Sequence, residues 1–392
     1  MRIDIVSENV SPWREPSGED SFAQQSHVHQ LATALAGREH TVTLWTRRDS
    51  LDVPDEVVVS EGFRIRYLDA GPPRPVTEQE RAGHLPALAA ALRAGWHRDR
   101  PDVVHAHYWS SGMAALPVAR DIGVPVVQTF HSLGGHGRPL RPQTGCMPGR
   151  LRVERSLTGL AGRLIATSSS QADELVQLGA PRRRVRVVPH GVNTDEFNPS
   201  GPALTRGDRS RVVLTGPLEP QLGVDDAVLA LAAVPEAELV LAGNFGPRDR
   251  NQTRLLDLAV RRRVAGRLHL LPQLPGDRMP QLLRSADVVV CVPWHERFGV
   301  VALEAMACAR PVVASPVGGL ADTVVNGVTG AHVPPRRPDA LASALRQVLG
   351  SPTMSQAFGI AGRDRVMARY RWNSIAESTM AIYQETVDEH RR

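Results

Sequence analysis

The chain contains two successive series of short apolar runs, each run rich in Val and Ile and followed by a helical pattern. The first series begins near residues 3, 42, 64, 103, 124, 163 and 185, and the second near residues 212, 239, 268, 288, 312 and 332. Buried strands that alternate with helices are typical of parallel sheets covered on both faces. We therefore predict an α/β fold of two doubly wound, Rossmann-like domains.

The length of the chain, 392 residues, agrees with two such domains, since single cores seldom grow past about 250–300 residues. Residues 198–209 lie between the two series and are rich in Pro and Gly, as linkers are. We predict an N-terminal domain over residues 1–197, this linker, a C-terminal domain over residues 210–371, and a last helix from residue 372. Ligands of doubly wound sheets bind at the carboxyl ends of the strands, so the predicted active site is a cleft between two such edges.

Composition excludes several classes of function. All 46 basic residues are Arg, and a pyridoxal-phosphate Schiff base needs a lysine amine, so we expect no such cofactor. The net charge of +5 suits small anionic ligands, but the Arg runs at 182–184 and 261–263 lack interleaved aromatics, so no nucleic-acid partner is predicted. No apolar run reaches about 18 residues, and we expect a cytoplasmic protein without a membrane span.

The sequence also lacks the usual metal-binding patterns. His27 and His29 fall on different faces of a helix, where they make a poor chelate, and no HExxH-type motif occurs. Cys146, Cys291 and Cys308 form no Cys/His ligand pattern and are interpreted as reduced thiols. We therefore expect no bound metal.

The run from Pro293 to Met306 combines a loop carboxylate, Glu296, with a helical one, Glu304. A helix that begins near Phe298 directs its free amides and its positive dipole end beyond the preceding strand, which favours a phosphate. Glu304, about two turns into the helix, can accept from both hydroxyls of a ribose, and Glu296 can accept from hydroxyls of a transferred sugar. The pattern favours a sugar nucleotide as ligand over two surface acids beside a helix cap.

This run resembles the donor-site signature of the GT-B glycosyltransferases, in particular the retaining family that includes sucrose-phosphate synthases and the inositol-phosphate N-acetylglucosaminyltransferases. Further similar segments follow the family's order: residues 1–7 with the helix 27–36, then residues 102–107, 129–134, 188–193 and 311–322. The resemblance covers nearly the whole chain. It implies a GT-B fold with two facing domains and an interdomain cleft, and a terminal helix, residues 372–392, that crosses back to the first domain. It leaves a homodimer open.

The resemblance also implies roles for residues at matching positions. It gives His131 and Glu296 as the catalytic residues, with His131 matching a family histidine that lies beneath the donor sugar. The predicted donor-binding residues at matching positions are Gly216, Gln273, Leu274, Phe298, Gly299, Val300 and Glu304, and Arg297 is added to them as a candidate cation for the diphosphate. The acceptor-binding residues are Asp20, His107, Arg150 and Glu154, of which the last two match a helix that contacts the acceptor phosphate in the inositol-phosphate enzymes.

Retaining members of the family use neither a protein nucleophile nor a divalent metal. The implied reaction transfers a hexosyl or N-acetylhexosaminyl group from a nucleoside-diphosphate sugar to a small hydroxylated acceptor, such as a cyclitol, a sugar or a sugar phosphate. A basic residue of the family is replaced by Gly137, which leaves a neutral or amine-bearing acceptor open beside an anionic one.

One departure from the family bears on activity. Family members carry an Arg and a Lys on the loop after the first strand of the second domain, where both neutralise the diphosphate. Residues 214–225 contain neither, and we interpret Pro217 and Gln221 as their replacements. The loss of two charge-assisted hydrogen bonds would cost ~3–6 kcal/mol in donor binding or in transition-state stabilisation. Arg297 is a candidate to replace these contacts. The alternatives are a catalytically impaired GT-B paralogue, acting as a partner or regulatory subunit, and a GT-B epimerase of UDP-sugars.

Overall fold

The chain divides into two compact units in a computed structural model, which describes residues 1–8, 19–134, 149–243, 245–246, 249–272, 274 and 278–392, with only the backbone for residues 19–23. The first unit comprises Met1–Pro189 and Trp372–Arg392, and the second comprises His190–Arg371. None of the described helices combines the length and apolarity needed to span a membrane.

The first unit is built on an eight-stranded sheet with the order β3-β4-β2-β1-β5-β6-β7-β8. Every neighbouring pair is parallel except β3 with β4. Its elements, in chain order, are β1 (Arg2–Val6), α1 (Glu19–Ala36), β2 (Thr41–Arg47), β3 (Glu56–Val58), β4 (Arg64–Leu68), α2 (Glu78–Arg98), β5 (Val103–His107), α3 (Tyr108–Asp121), β6 (Val126–Thr129), α4 (Arg150–Leu160), β7 (Arg163–Ala166), α5 (Ser169–Gln177) and β8 (Val185–Val187).

The second unit is built on a six-stranded, all-parallel sheet with the order β11-β10-β9-β12-β13-β14. Strand order reverses between β9 and β12, as in doubly wound folds. Its elements are β9 (Ser210–Thr215), α6 (Val224–Leu231), β10 (Ala237–Gly243), α7 (Arg250–Arg261), β11 (Leu268–Pro272), α8 (Met279–Ser285), β12 (Val288–Cys291), α9 (Val300–Ala307), β13 (Val312–Ala314), α10 (Gly319–Thr323), β14 (Gly330–His332), α11 (Pro338–Leu349) and α12 (Pro352–Arg369).

The predicted parallel-sheet fold class is confirmed, and each predicted strand begins within two residues of an observed one. The additional strand, β3, is a three-residue antiparallel edge, too short to show a period. The units divide after Pro189 rather than after the predicted residue 197. The segment between these positions belongs to the second unit because the Val192 amide donates to the Tyr370 carbonyl (2.8 Å) and Phe197 packs in that unit's core.

The last helix, α13 (Trp372–Arg391), belongs to the first unit although it follows the second in the chain. It packs against α1, and its buried face includes Trp372, Ile375 and Ile382. Tyr383, from the same face, places its hydroxyl 2.7 Å from Nδ1 of His105 on β5. The chain end therefore reaches the side chains at the centre of the first sheet.

A buried carboxyl at the centre of the first sheet connects β1 to two neighbouring elements. Asp4 Oδ2 accepts hydrogen bonds from the indole Nε1 of Trp45 on β2 and of Trp96 on α2, both at 2.7 Å. Desolvation raises the pKa of Asp4 from 3.8 to about 7, although both indoles oppose the shift. The folded protein therefore holds a proton here at pH values where the unfolded chain has lost it.

Because the folded state binds this additional proton, we predict that the free energy of unfolding falls as pH rises. Between about pH 4 and pH 7 the folded state binds the additional proton, so each pH unit costs at most ~1.4 kcal/mol of unfolding free energy. Asp4→Asn keeps an acceptor for the indoles but cannot ionise. Thermal unfolding of both proteins from pH 5 to pH 8 should show that the Asn variant gains relative to the wild-type chain with rising pH. Parallel pH profiles would contradict the assignment.

Candidate functional site

The predicted donor-site residues follow the carboxyl ends of three strands of the second unit, β9, β11 and β12. Gly216 comes directly after β9, where its amide donates to the Ala242 carbonyl at 2.8 Å. The loop from Val292 to Gly299 follows β12 and leads into α9. This edge is where doubly wound sheets bind ligands.

Glu296 is anchored to the backbone at the start of α9. Its Oε1 accepts from the amides of Arg297 (2.9 Å), Phe298 (3.0 Å) and Gly299 (3.2 Å). The expectation that these amides are free for a phosphate is therefore wrong for this state, because a neighbouring carboxylate satisfies them first. The second oxygen, Oε2, takes no part in these bonds and can accept from a ligand hydroxyl.

Three glycines allow this loop to take its path, and the roles of two of them, Gly318 and Gly319, were not predicted from the sequence. Gly299 is the N-cap residue of α9 with φ 72°, a conformation that favours glycine. A Cβ on Gly318 would lie 1.6 Å from the Glu296 carbonyl oxygen, and one on Gly319 would lie 2.7 Å from that of Phe298. The sequence signal for these two is the adjacent pair Gly318-Gly319, four residues after the end of β13, since adjacent glycines mark a close backbone approach.

Glu304 lies in the second turn of α9 with a partly exposed side chain. Desolvation, followed by the charge of Glu196, raises its pKa from 4.5 to about 8. Burial and the charges of Glu296 and Glu304 likewise raise the pKa of the Cys291 thiol at the end of β12. Glu304 is therefore largely protonated at neutral pH, and hydroxyl donors that bind it would favour the ionised form.

The remaining donor-site predictions fall into two groups. Phe298 is buried, Arg297 and Val300 are partly exposed in the same segment, and Leu274 is partly buried beside the second unit's core. Gln273 lies outside the described residues, as do Gly137 and Cys146.

A further cation, not identified from the sequence, lies near the end of β12. The Arg336 guanidinium stacks 3.8 Å from the Trp294 ring centroid, and the Trp294 amide donates to the Gln221 carbonyl at 2.8 Å. Arg336 lies in the loop after β14, about 110 residues along the chain from residues 214–225, the segment in which family members carry the diphosphate-binding Arg and Lys. Such a pairing has no local sequence signal.

Buried imidazoles form the centre of the candidate site in the first unit. His131 follows β6 with φ 57°, and its Nε2 lies 2.7 Å from Nδ1 of His107. The His105 and His107 rings lie 4.0 Å apart, and His27 packs edge-on against His131 at 5.2 Å. Desolvation lowers the pKa of His105 to about 3 and that of His107 well below its usual range. These two imidazoles are neutral at physiological pH.

The structure differs from the expected acceptor-facing role of His107. The side chain is fully buried behind His131, because its position on β5 directs it to the same face as His105. His107 can therefore orient His131. Asp20 lies in the first turn of α1, with its side chain outside the described part of the structure.

Arg150 and Glu154 are brought together with the His131 loop, but as buried partners of protein groups. Arg150 Nε donates to Glu154 Oε1 (2.7 Å), and Nη2 donates to the Ser132 carbonyl (2.8 Å). Glu154 Oε2 accepts from the Gly134 amide at 2.8 Å. Both residues thus fix the loop that carries His131. Within the described residues, no group of three or more His, Cys, Asp or Glu side chains could hold a metal ion.

The geometry agrees with what comparison with known proteins shows. Residues 24–196 match the family described as Glycosyltransferase Family 4, and residues 201–365 match Glycosyl transferases group 1. The D-inositol 3-phosphate glycosyltransferase of Actinosynnema mirum is 33% identical over 409 residues, covering 99% of this chain and 98% of that protein. The enzyme of that name from Acidothermus cellulolyticus is 32% identical over 415 residues, covering 100% and 91%.

A solved structure extends the similarity to three dimensions. Sucrose-phosphate synthase from Thermosynechococcus elongatus superposes with a TM-score of 0.86 at 28% identity, with 99% of each chain covered. The family and GT-B fold expected from the sequence are therefore confirmed. The chain belongs to the group 1 glycosyltransferases, with a Family 4 glycosyltransferase region in its N-terminal half.

Proposed function

We propose that the protein is a retaining, metal-independent glycosyltransferase. It transfers a hexosyl or N-acetylhexosaminyl group from a nucleoside-diphosphate sugar to a small hydroxylated acceptor. The observation that carries this proposal is the pair Glu296 and Glu304, one anchored at the start of α9 and one in its second turn.

The two carboxyl groups bind different parts of the donor. Glu304 accepts from the ribose hydroxyls, whose binding draws its carboxyl towards the ionised form. Glu296 Oε2 accepts from hydroxyls of the transferred sugar, because Oε1 is already held by three amides. The diphosphate then lies near the positive end of the α9 dipole, with Arg297 as its nearby cation.

Charge stabilisation by fixed groups supports a mechanism without a divalent ion. Transfer develops negative charge on the departing phosphate and positive character on the sugar ring. The α9 N-terminus and Arg297 favour the first charge, and the Glu296 carboxylate favours the second. His131 is the first unit's candidate for contact with the transferred sugar, through its imidazole or its backbone, and its Nε2 lies 2.7 Å from Nδ1 of His107.

The relatives support the acceptor class. Enzymes named for D-inositol 3-phosphate, and a sucrose-phosphate synthase, are similar along nearly the entire chain. We therefore propose an acceptor built on a cyclitol or a sugar, the skeletons to which these names refer. We do not propose an impaired paralogue, because the acidic pair and the glycines that support it are all present.

The first test is turnover. The protein should hydrolyse or transfer from at least one donor in a panel of UDP-, GDP-, ADP- and dTDP-sugars, with cyclitol and sugar acceptors present. Activity should persist in excess EDTA, and NMR should show the donor's anomeric configuration in the product. The absence of both binding and turnover across the panel would refute the function. A product of inverted anomeric configuration would refute retention, and loss of activity in EDTA would refute metal independence.

Two substitutions separate the roles of Glu296. Glu296→Gln keeps an oxygen for the three amides but removes the charge, so kcat/KM should fall about 10- to 100-fold, matching a lost hydrogen bond to a charged group. Glu296→Ala also removes the three hydrogen bonds that anchor the loop, and the displaced loop should weaken binding of the nucleoside diphosphate alone. Calorimetry with that diphosphate distinguishes them. Wild-type kcat/KM in the Gln variant would exclude Glu296 from sugar binding.

Gly318→Ala tests the support beneath the loop. Its Cβ would collide with the Glu296 carbonyl, so donor affinity should fall at least about tenfold through displacement of the loop. Gly327→Ala is the matched control, because Gly327 also has a positive φ (74°) but no heavy atom within 4 Å of its Cβ position. Calorimetry of donor binding compares the two variants. Equal affinities would show that the close contact does not position Glu296.

A further inference from the structure

A network of buried charges lies at the carboxyl ends of β1 and β5 and reaches the His131 loop. Glu8, after β1, pairs with Arg81 of α2 (2.8 Å) and accepts from the Ser110 hydroxyl (2.7 Å). Glu78, in the first turn of α2, lies 3.4 Å from Arg150. The ring of Tyr108 lies between the two arginines, 5.7 Å from Arg81 Cζ and 4.8 Å from Arg150 Cζ.

Every N–H donor of the Arg150 guanidinium already faces an acceptor within the protein. A guanidinium carries five N–H groups. Here Nε donates to Glu154, Nη1 faces the Tyr108 hydroxyl (2.8 Å) and Glu78, and Nη2 faces the carbonyl and hydroxyl oxygens of Ser132 (2.8 and 2.9 Å). A phosphate could gain this guanidinium only by displacing bonds that hold the His131 loop.

The charges of this network also balance. The carboxylates Glu8, Glu78 and Glu154 face Arg81 and Arg150, and a third guanidinium, that of Arg47, interacts electrostatically with Glu8 while donating to the carbonyls of residues 48, 72 and 74. Asp49 and Arg74 also act on Arg47, but with opposite charges, so the three guanidiniums remain matched by three carboxylates. Glu78, the most exposed of the carboxylates at 19%, would repel an incoming phosphate.

We propose that the acceptor of this enzyme carries no phosphate group, and that Glu78 is the residue that excludes one. The acceptor class is a neutral or amine-bearing polyhydroxyl compound bound beside the Arg150 network. This inference rests on the proposed function, since it concerns the acceptor of that reaction. It separates this chain from the relatives named for a phosphorylated inositol.

Two readouts test the exclusion. With the donor found in the panel, the wild-type protein should use myo-inositol with a higher kcat/KM than D-inositol 3-phosphate. Glu78→Lys should reverse this preference and Glu78→Gln should reduce it, each by about tenfold or more, since an anion gains a charge-assisted bond or loses a repulsion. Glu377→Lys, on the exposed surface of α13, makes the same charge change away from the network and should keep the wild-type preference.

The second readout does not depend on turnover. Titration of inorganic phosphate by calorimetry should show tighter binding to Glu78→Lys than to the wild-type and Glu377→Lys proteins, while phosphate bound elsewhere appears equally in all three. A wild-type preference for the phosphorylated acceptor would overturn the proposal. So would identical phosphate isotherms for Glu78→Lys and Glu377→Lys. Failure of the donor panel would instead count against the proposed function, and the phosphate titration would still test Glu78.

Discussion

The carboxylate of Glu296, held by three consecutive backbone amides at the start of α9, is the constraint on which the candidate donor site depends. These bonds fix the direction of one side chain and the path of the loop that carries it. The loop can take this path only because Gly318 and Gly319 leave room for its carbonyl groups. Three hydrogen bonds to one carboxylate oxygen, and the absence of side chains at two glycines, therefore position the residues that would meet an activated sugar.

Burial determines which groups carry charge at the two candidate sites. His105 and His107 are neutral because desolvation lowers their pKa values, and Glu304 is largely protonated because desolvation raises its pKa to about 8. Positive charge comes instead from arginines, and in the first unit Arg81 and Arg150 face the carboxylates Glu8, Glu78 and Glu154. A negatively charged donor is thus favoured by the α9 terminus and Arg297, while these two guanidiniums of the first unit are already paired.

Much of the fold could be predicted because buried parallel strands leave a strong local signal, whereas the three-residue strand β3 does not. The acidic pair was predictable for a similar reason, since a strand, a loop and a helix place both residues within nine positions. Contacts between residues that are distant in the sequence could not be predicted. Nothing local indicates that Arg336 stacks on Trp294, or that Arg150 directs its donors at Ser132, Tyr108 and Glu154. The packing of His107 was not predictable either, because the family resemblance indicates a role at the acceptor site but not that the side chain is buried beside His105 and His131.

The most direct test is a crystal structure of the protein with the nucleoside-diphosphate sugar that it turns over. The account predicts the ribose hydroxyls on the Glu304 carboxylate, the transferred sugar on Glu296 Oε2, and Oε1 still bound to the amides of residues 297–299. A nucleotide bound elsewhere, or a Glu296 side chain turned away from these amides into solvent, would contradict it.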